Sequence, residues 1–174
     1  MNPRVLAFLV TVSLIPGVAG AQEMQPAPKC TSIVAPPPAL AGWSAKQDLA
    51  SAIKADDLAQ AALTPDHAAT VTLHPTHDVS YIMQPEKPGG SVAHGGMLAV
   101  TIATAGTYQI NLSSGAWIDL LKDGAAVISS AHAPGPACTG IRKTVQFPLQ
   151  PGRYVLQISA NADPTIQVMV SRAP

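Results

Sequence analysis

The sequence predicts an all-β fold, an antiparallel β-sandwich or jelly roll of about eight or nine strands preceded by a short Ala-rich helical segment. Three observations carry this. From Thr70 to the C-terminus apolar residues recur at every second position, which is the period of a strand with one buried face. Each run is closed by Gly, Pro, Asn or Asp, the residues that suit turns. No stretch between the runs is long enough for the crossover helices of a parallel α/β sheet.

Taken in order, the chain opens with Arg4, an apolar run from Val5 to Ile15, the breakers Pro16 and Gly17, and the small residues Ala19, Gly20 and Ala21. This is the pattern of a cleavable signal peptide, 1–21, and the apolar run falls short of the roughly 20 residues that span a hydrocarbon core. A periplasmic or secreted protein with no membrane anchor after cleavage is expected. Residues 22–41 are rich in Pro and Ala, including Pro36-Pro37-Pro38, and are expected to form an extended tether. The remainder, 42–174, is long enough for a single sandwich domain. Within it, Leu49, Ile53, Leu58 and Ala62 follow roughly helical spacing between Ser44 and Leu63, which predicts one or two short helices.

The strands follow. Val71 and Leu73 alternate with polar residues, as do Leu98, Val100 and Ile102, then Tyr108, Ile110 and Leu112. Ile118–Leu121 and Val127–Ser130 flank Asp123-Gly124, a dipeptide suited to the left-handed angles of a tight hairpin turn. Val145, Phe147 and Leu149, then Tyr154, Leu156 and Ile158, then Ile166, Val168 and Val170 complete the set. Gly106-Thr107-Tyr108 and Gly152-Arg153-Tyr154 echo one another at the starts of two strands, where a Tyr packs its ring and sends its hydroxyl to nearby backbone.

Composition narrows the function. Lys and Arg together number ten, as do Asp and Glu, and the basic residues are scattered, so a nucleic-acid partner has no electrostatic footprint. Glu occurs only at Glu23 and Glu86, which disfavours a paired-carboxylate glycosidase. No G-x-S-x-G elbow is present, and no strand leads into Ser91, which disfavours a serine hydrolase. Cys30 and Cys138 are the only cysteines, and an even count in an exported chain predicts a disulfide.

The segment from Gly96 to Arg172 resembles the bacterial pre-peptidase C-terminal (PPC) β-sandwich domains through Gly106-Thr107-Tyr108, Asp119-Leu120-Leu121, Asp123-Gly124 and Leu149-Gln150-Pro151-Gly152-Arg153-Tyr154. The resemblance implies a β-sandwich with a noncatalytic accessory role. The whole chain also resembles small exported bacterial proteins that sometimes carry the label homogentisate 1,2-dioxygenase, through Leu40-Ala41-Gly42-Trp43, Gly115-Ala116-Trp117-Ile118-Asp119 and Cys138-Thr139-Gly140-Ile141-Arg142-Lys143. Ring-cleaving enzymes of that name are similar to large cytoplasmic cupins holding iron through two His and a Glu. This chain is short, and its only Glu beyond the tether is Glu86.

Three groups of candidate site residues emerge. Trp117 and Asp119 flank Ile118, so a regular strand turns either Ile118 or the Trp/Asp pair outward. An outward Trp117 is a stacking platform, and the alternative is core packing around a bulge. Arg142, followed by Lys143, is a candidate anion-binding corner beside Cys138. His74, His77 and Asp78 supply the donor types of a zinc or iron site, to which His94 or His132 would add if loops converge, while the bland reading is an exposed turn around Pro75. The expected function is an exported noncatalytic binding or structural module for carbohydrate or another envelope protein, with no cofactor. The alternative is a small metal-dependent enzyme.

Overall fold

The structure is a computed structural model that describes residues 29–174. The predicted signal peptide and the start of the tether lie outside the described residues. Twelve strands form two sheets. In chain order they are β1 (Lys46–Ala50), β2 (Ala62–Leu63), β3 (Ala68–Thr72), β4 (His74–Pro75), β5 (His94–Ile102), β6 (Gly106–Leu112), β7 (Trp117–Lys122), β8 (Ala125–Ala126), β9 (Ala131–Ala133), β10 (Lys143–Leu149), β11 (Gly152–Asn161) and β12 (Thr165–Arg172). Sheet A runs β1-β3-β12-β6-β10-β9 and sheet B runs β2-β5-β11-β7-β8, with β4 added to β5.

The alternating residues meet between the two sheets. Leu98, Val100, Leu156, Ile158 and Leu120 of sheet B share one buried cluster with Ile110, Leu112, Phe147, Val168 and Val170 of sheet A. Each such side chain removed from water contributes about 1.5–3 kcal/mol before the entropy of ordering it. The turn after β7 is as the sequence requires. Asp123 and Gly124 have φ of 51° and 80°, and Lys122 pairs with Ala125 across them.

Tyr108 and Tyr154 occupy equivalent corners. Tyr108 Oη donates to the Thr104 carbonyl at 3.0 Å and Tyr154 Oη to the Gln150 carbonyl at 2.8 Å, each four residues upstream. A cation covers each ring, Arg172 at 6.0 Å and Lys122 at 5.5 Å.

Three expectations are corrected. The predicted helical segment is instead the strand β1, one 3-10 turn at Ala55–Asp57, and the strand β2. A second 3-10 turn, Pro38–Trp43, falls across the expected end of the tether. Next, β1 pairs parallel with β3 and β2 pairs parallel with β5, so the sheets are not purely antiparallel. The expected strand Val127–Ser130 is replaced by the two-residue β8, and the strand count rises from eight or nine to twelve, because β1, the two-residue strands and the edge strand β9 have no apolar alternation to announce them.

The outer face of sheet A is polar and covered. Thr144 Oγ1 donates to Asn111 Oδ1 at 2.9 Å, and Gln109 and Asn111 both donate to Ser171 Oγ at 3.3 Å. Asn111 is fully buried, so the Asn111-Leu112-Ser113 sequon is closed to modification in the folded chain. Leu40 and Trp43 pack with Ala68, Ile141 and Met169 on this side. Cys30 and Cys138 are bonded, with Cα atoms 5.4 Å apart, and the Val34 N–H donates to the Cys138 carbonyl.

Candidate ligand-binding site

On β7 the strand is regular, and this settles the face of each residue. Ile118 turns inward, while Trp117 and Asp119 lie half-buried on the outer face of sheet B. The Trp117 Nε1–H donates to Asp119 Oδ1 at 3.1 Å. The indole is thereby fixed from within its own strand, two residues away.

A long loop between the 3-10 turn Thr76–Asp78 and β5 is tied to this same face by residues of β11. Gln157 is buried, and its Oε1 accepts the N–H groups of Ile82 and Met83 while its Nε2 donates to the Met83 carbonyl. Ser159 Oγ donates to the Lys87 carbonyl, and Tyr81 Oη to the Ile158 carbonyl, both at 2.8 Å. Burial pushes the Tyr81 phenol up to about 12. These bonds bring Glu86 and Lys87 beside Trp117, and Lys87 Nζ stands 4.8 Å from the ring centroid.

From the other sheet, Lys143 at the start of β10 reaches across the seam. Its Nζ donates to the Ala116 carbonyl at 2.9 Å and lies 5.8 Å from the Trp117 centroid. Burial, and then the like charge of Lys87, lowers the Lys143 pKa. The result is a pocket of about 410 Å³ along the sandwich edge. Its lining includes the polar Asp119 and Glu86 with Trp117, the apolar Val127, Val145 and Phe147, and His132 and Lys143. This size and mixture suit a small ligand or a few residues of a larger one.

Burial raises the Asp119 carboxyl above the usual carboxylate range, the Trp117 hydrogen bond opposes this, and the Glu86 charge adds to it. Its Oδ2 is buried with no hydrogen-bond partner among the described residues. A raised folded-state value means that the protonated form is favoured in the fold. That contribution is lost as pH rises through the folded pKa, so the charged form is the less favourable one at pH 7. Asp119→Asn keeps an acceptor for Trp117 and removes the charge. At pH 7 the variant is expected to unfold at a denaturant concentration no lower than the parent, and the two should converge below about pH 3. A loss above ~1 kcal/mol at pH 7 would show that the ionised carboxylate is needed for stability.

The other candidates are dispersed. Arg142 is exposed and lies outside the pocket, while its neighbour Lys143 lines it. His74 Nε2–H donates to the Ser51 carbonyl at 3.1 Å. His77 and Asp78 are largely exposed and 3.5 Å from one another. Among the described residues no three His, Cys, Asp or Glu side chains are gathered as for a metal ion, so the donor set for zinc or iron is not assembled. His132 is on β9 and lines the pocket, in the sheet opposite β4, and His94 pairs with Pro75 across β4 and β5. Glu86 and Lys143, which line the pocket, and Lys87, which stands over the Trp117 ring, were not singled out by the sequence as a group with Trp117. Only the adjacency of Lys143 to Arg142 hinted at it.

No protein-family model matches the chain, and no curated protein sequence matches it. Among solved structures, the chain is similar to the pre-peptidase C-terminal domain of a collagenase from Bacillus anthracis, at 12% identity, over 72% of this chain and 97% of that one, with a TM-score of 0.37. The β-sandwich assignment rests on the two sheets themselves.

Proposed function

We propose that the protein is an exported, noncatalytic binding or structural accessory module that holds a carbohydrate or protein ligand in the periplasm or outside the cell. The observation that carries this reading is the edge pocket, in which a half-buried Trp117 is fixed by Asp119 above an apolar floor. An aromatic ring with a few convergent polar groups is recognition chemistry. The polar groups are engaged with the protein, Asp119 by the indole and Lys143 by the Ala116 carbonyl. Export is supported by the signal-peptide pattern and by the disulfide, which persists in oxidising compartments.

The test is capture. The oxidised protein, immobilised and exposed to a panel of oligosaccharides and to envelope proteins, is expected to retain a ligand. Trp117→Ala should weaken that retention about tenfold or more with an unchanged thermal midpoint. Retention unaltered by the substitution would remove the pocket from the account. Collapse of the fold would show that the ring serves the core.

A further inference from the structure

The pocket lies along a strand edge that is open at one rung. The Val127 N–H donates to the Leu120 carbonyl at 2.8 Å, which places the backbone groups of Leu120 on the β8 side of β7. Backbone direction alternates along a strand, so the N–H and C=O of Ile118 point the same way, away from β11. Strand β8 covers only Leu121 and Lys122. The chain then leaves β7 to join sheet A, where Ala131–Ala133 pair with β10. At the other end, the Ala116 carbonyl is taken by Lys143 Nζ. Between these two closures, neither backbone group of Ile118 has a hydrogen-bond partner among the described residues. Ile118 also lines the pocket.

We propose that the pocket accepts a short, extended, uncharged peptide that adds to β7 at Ile118 and leaves its alternate side chains between Val145 and Phe147 on one side and Trp117 on the other. The inference rests on the binding-module reading and names the ligand class.

Three features favour a peptide over other occupants. Unsatisfied edge groups are what main-chain augmentation uses, and alternate side pockets are what gives it specificity. Core residues Val145 and Phe147 and the outward Trp117 and Asp119 in the lining match the two faces of a strand. Formal charge around Trp117 is balanced, with Glu86 and Asp119 in the lining against Lys143 in the lining and Lys87 over the ring, so a neutral segment fits better than a charged one. A sugar stacking on Trp117 competes with the two ammonium groups near the ring, whereas an added strand leaves them in place. A second sandwich offering an edge strand of ordinary length meets β8 just past Leu120.

The test uses the oxidised full chain and a phage-displayed library of random dodecapeptides. Enrichment of uncharged peptides with apolar residues at alternate positions is expected. A synthesised winner should slow hydrogen exchange of the Ile118 amide ~10-fold or more. N-methylating one alternate set of its amides should abolish binding, and methylating the other set should not. Failure to enrich any peptide, an unchanged Ile118 amide, or equal binding of both methylated sets overturns the proposal. Oligosaccharide capture that depends on Trp117, with the Ile118 amide unchanged, overturns the peptide and preserves the binding module. Retention of neither class of probe overturns both.

Discussion

Replacing Cys30 and Cys138 together with serine is expected to remove about 4 kcal/mol of stability, because the bond closes a loop across a sequence separation of 108. The chain-entropy cost of closing so long a loop is borne by the unfolded state when the bond is present. For a chain of this size that loss corresponds to a thermal midpoint lower by about 8–16 °C. The effect has a location as well as a size. Cys138 sits at φ 62°, a left-handed conformation that non-glycine residues avoid, and its carbonyl holds the Val34 N–H. Release of the bond frees the segment that leads to Leu40 and Trp43 over sheet A. Amides beside Asn111 and Thr144, which that cover keeps from water, should therefore gain exchange rate before those beside Leu98 and Leu156. An unfolding free energy within about 1 kcal/mol of the parent would mean that the N-terminal segment is held by its contacts alone.

The strands that were legible in the sequence are those with a buried face. Leu98, Val100 and Ile102 advertise β5 because every second side chain enters the common core. In β1, by contrast, only Leu49 is better than exposed, and the strand exists because its backbone pairs with β3 some twenty residues further on. The helical spacing of Leu49, Ile53, Leu58 and Ala62 was coincidental in a stretch whose partners are distant. Strand β9 is exposed at all three positions and is held by backbone pairing to β10, so its side chains carry no signal.

The site divides in the same way. Trp117 and Asp119 were legible because they share a face of one strand, and the burial of Ile118 decides which face. Their companions come from the loop after the 3-10 turn Thr76–Asp78, from the crossover at Val127, and from β10. Between Arg142 and Lys143 a single step along the chain decides which reaches the pocket, and that step depends on the register of β10 with β6. No local pattern encodes such a register.

The loop that carries Glu86 and Lys87 is the part of the site most dependent on one small residue. Gly95 lies in β5 beneath the Tyr81 hydroxyl, and a Cβ there would stand 2.5 Å from the Ile158 carbonyl oxygen while overlapping that hydroxyl. Gly95→Ala is therefore expected to expel Tyr81 and break its bond to Ile158. Overpacking of about 1–3 kcal/mol plus the lost hydrogen bond gives an expected cost of about 2–4 kcal/mol. Tyr81→Phe, which keeps the ring and loses only the bond, should cost about 1 kcal/mol.

Titration separates the two. Tyr81 ionises near 12 in the fold against an ordinary value of 10.0, so its contribution is complete below 10 and is lost as pH rises through 12. In the parent, stability should fall across that interval, and the phenolate absorbance difference between parent and Tyr81→Phe should have its midpoint near 12. With Gly95→Ala, the same difference should move toward 10, because the expelled phenol meets water. Binding at the pocket should weaken in parallel, since Glu86 and Lys87 are brought to Trp117 by the loop that Tyr81 pins. A midpoint that stays near 12 in Gly95→Ala would show that β5 shifts to admit the methyl group while Tyr81 keeps its place.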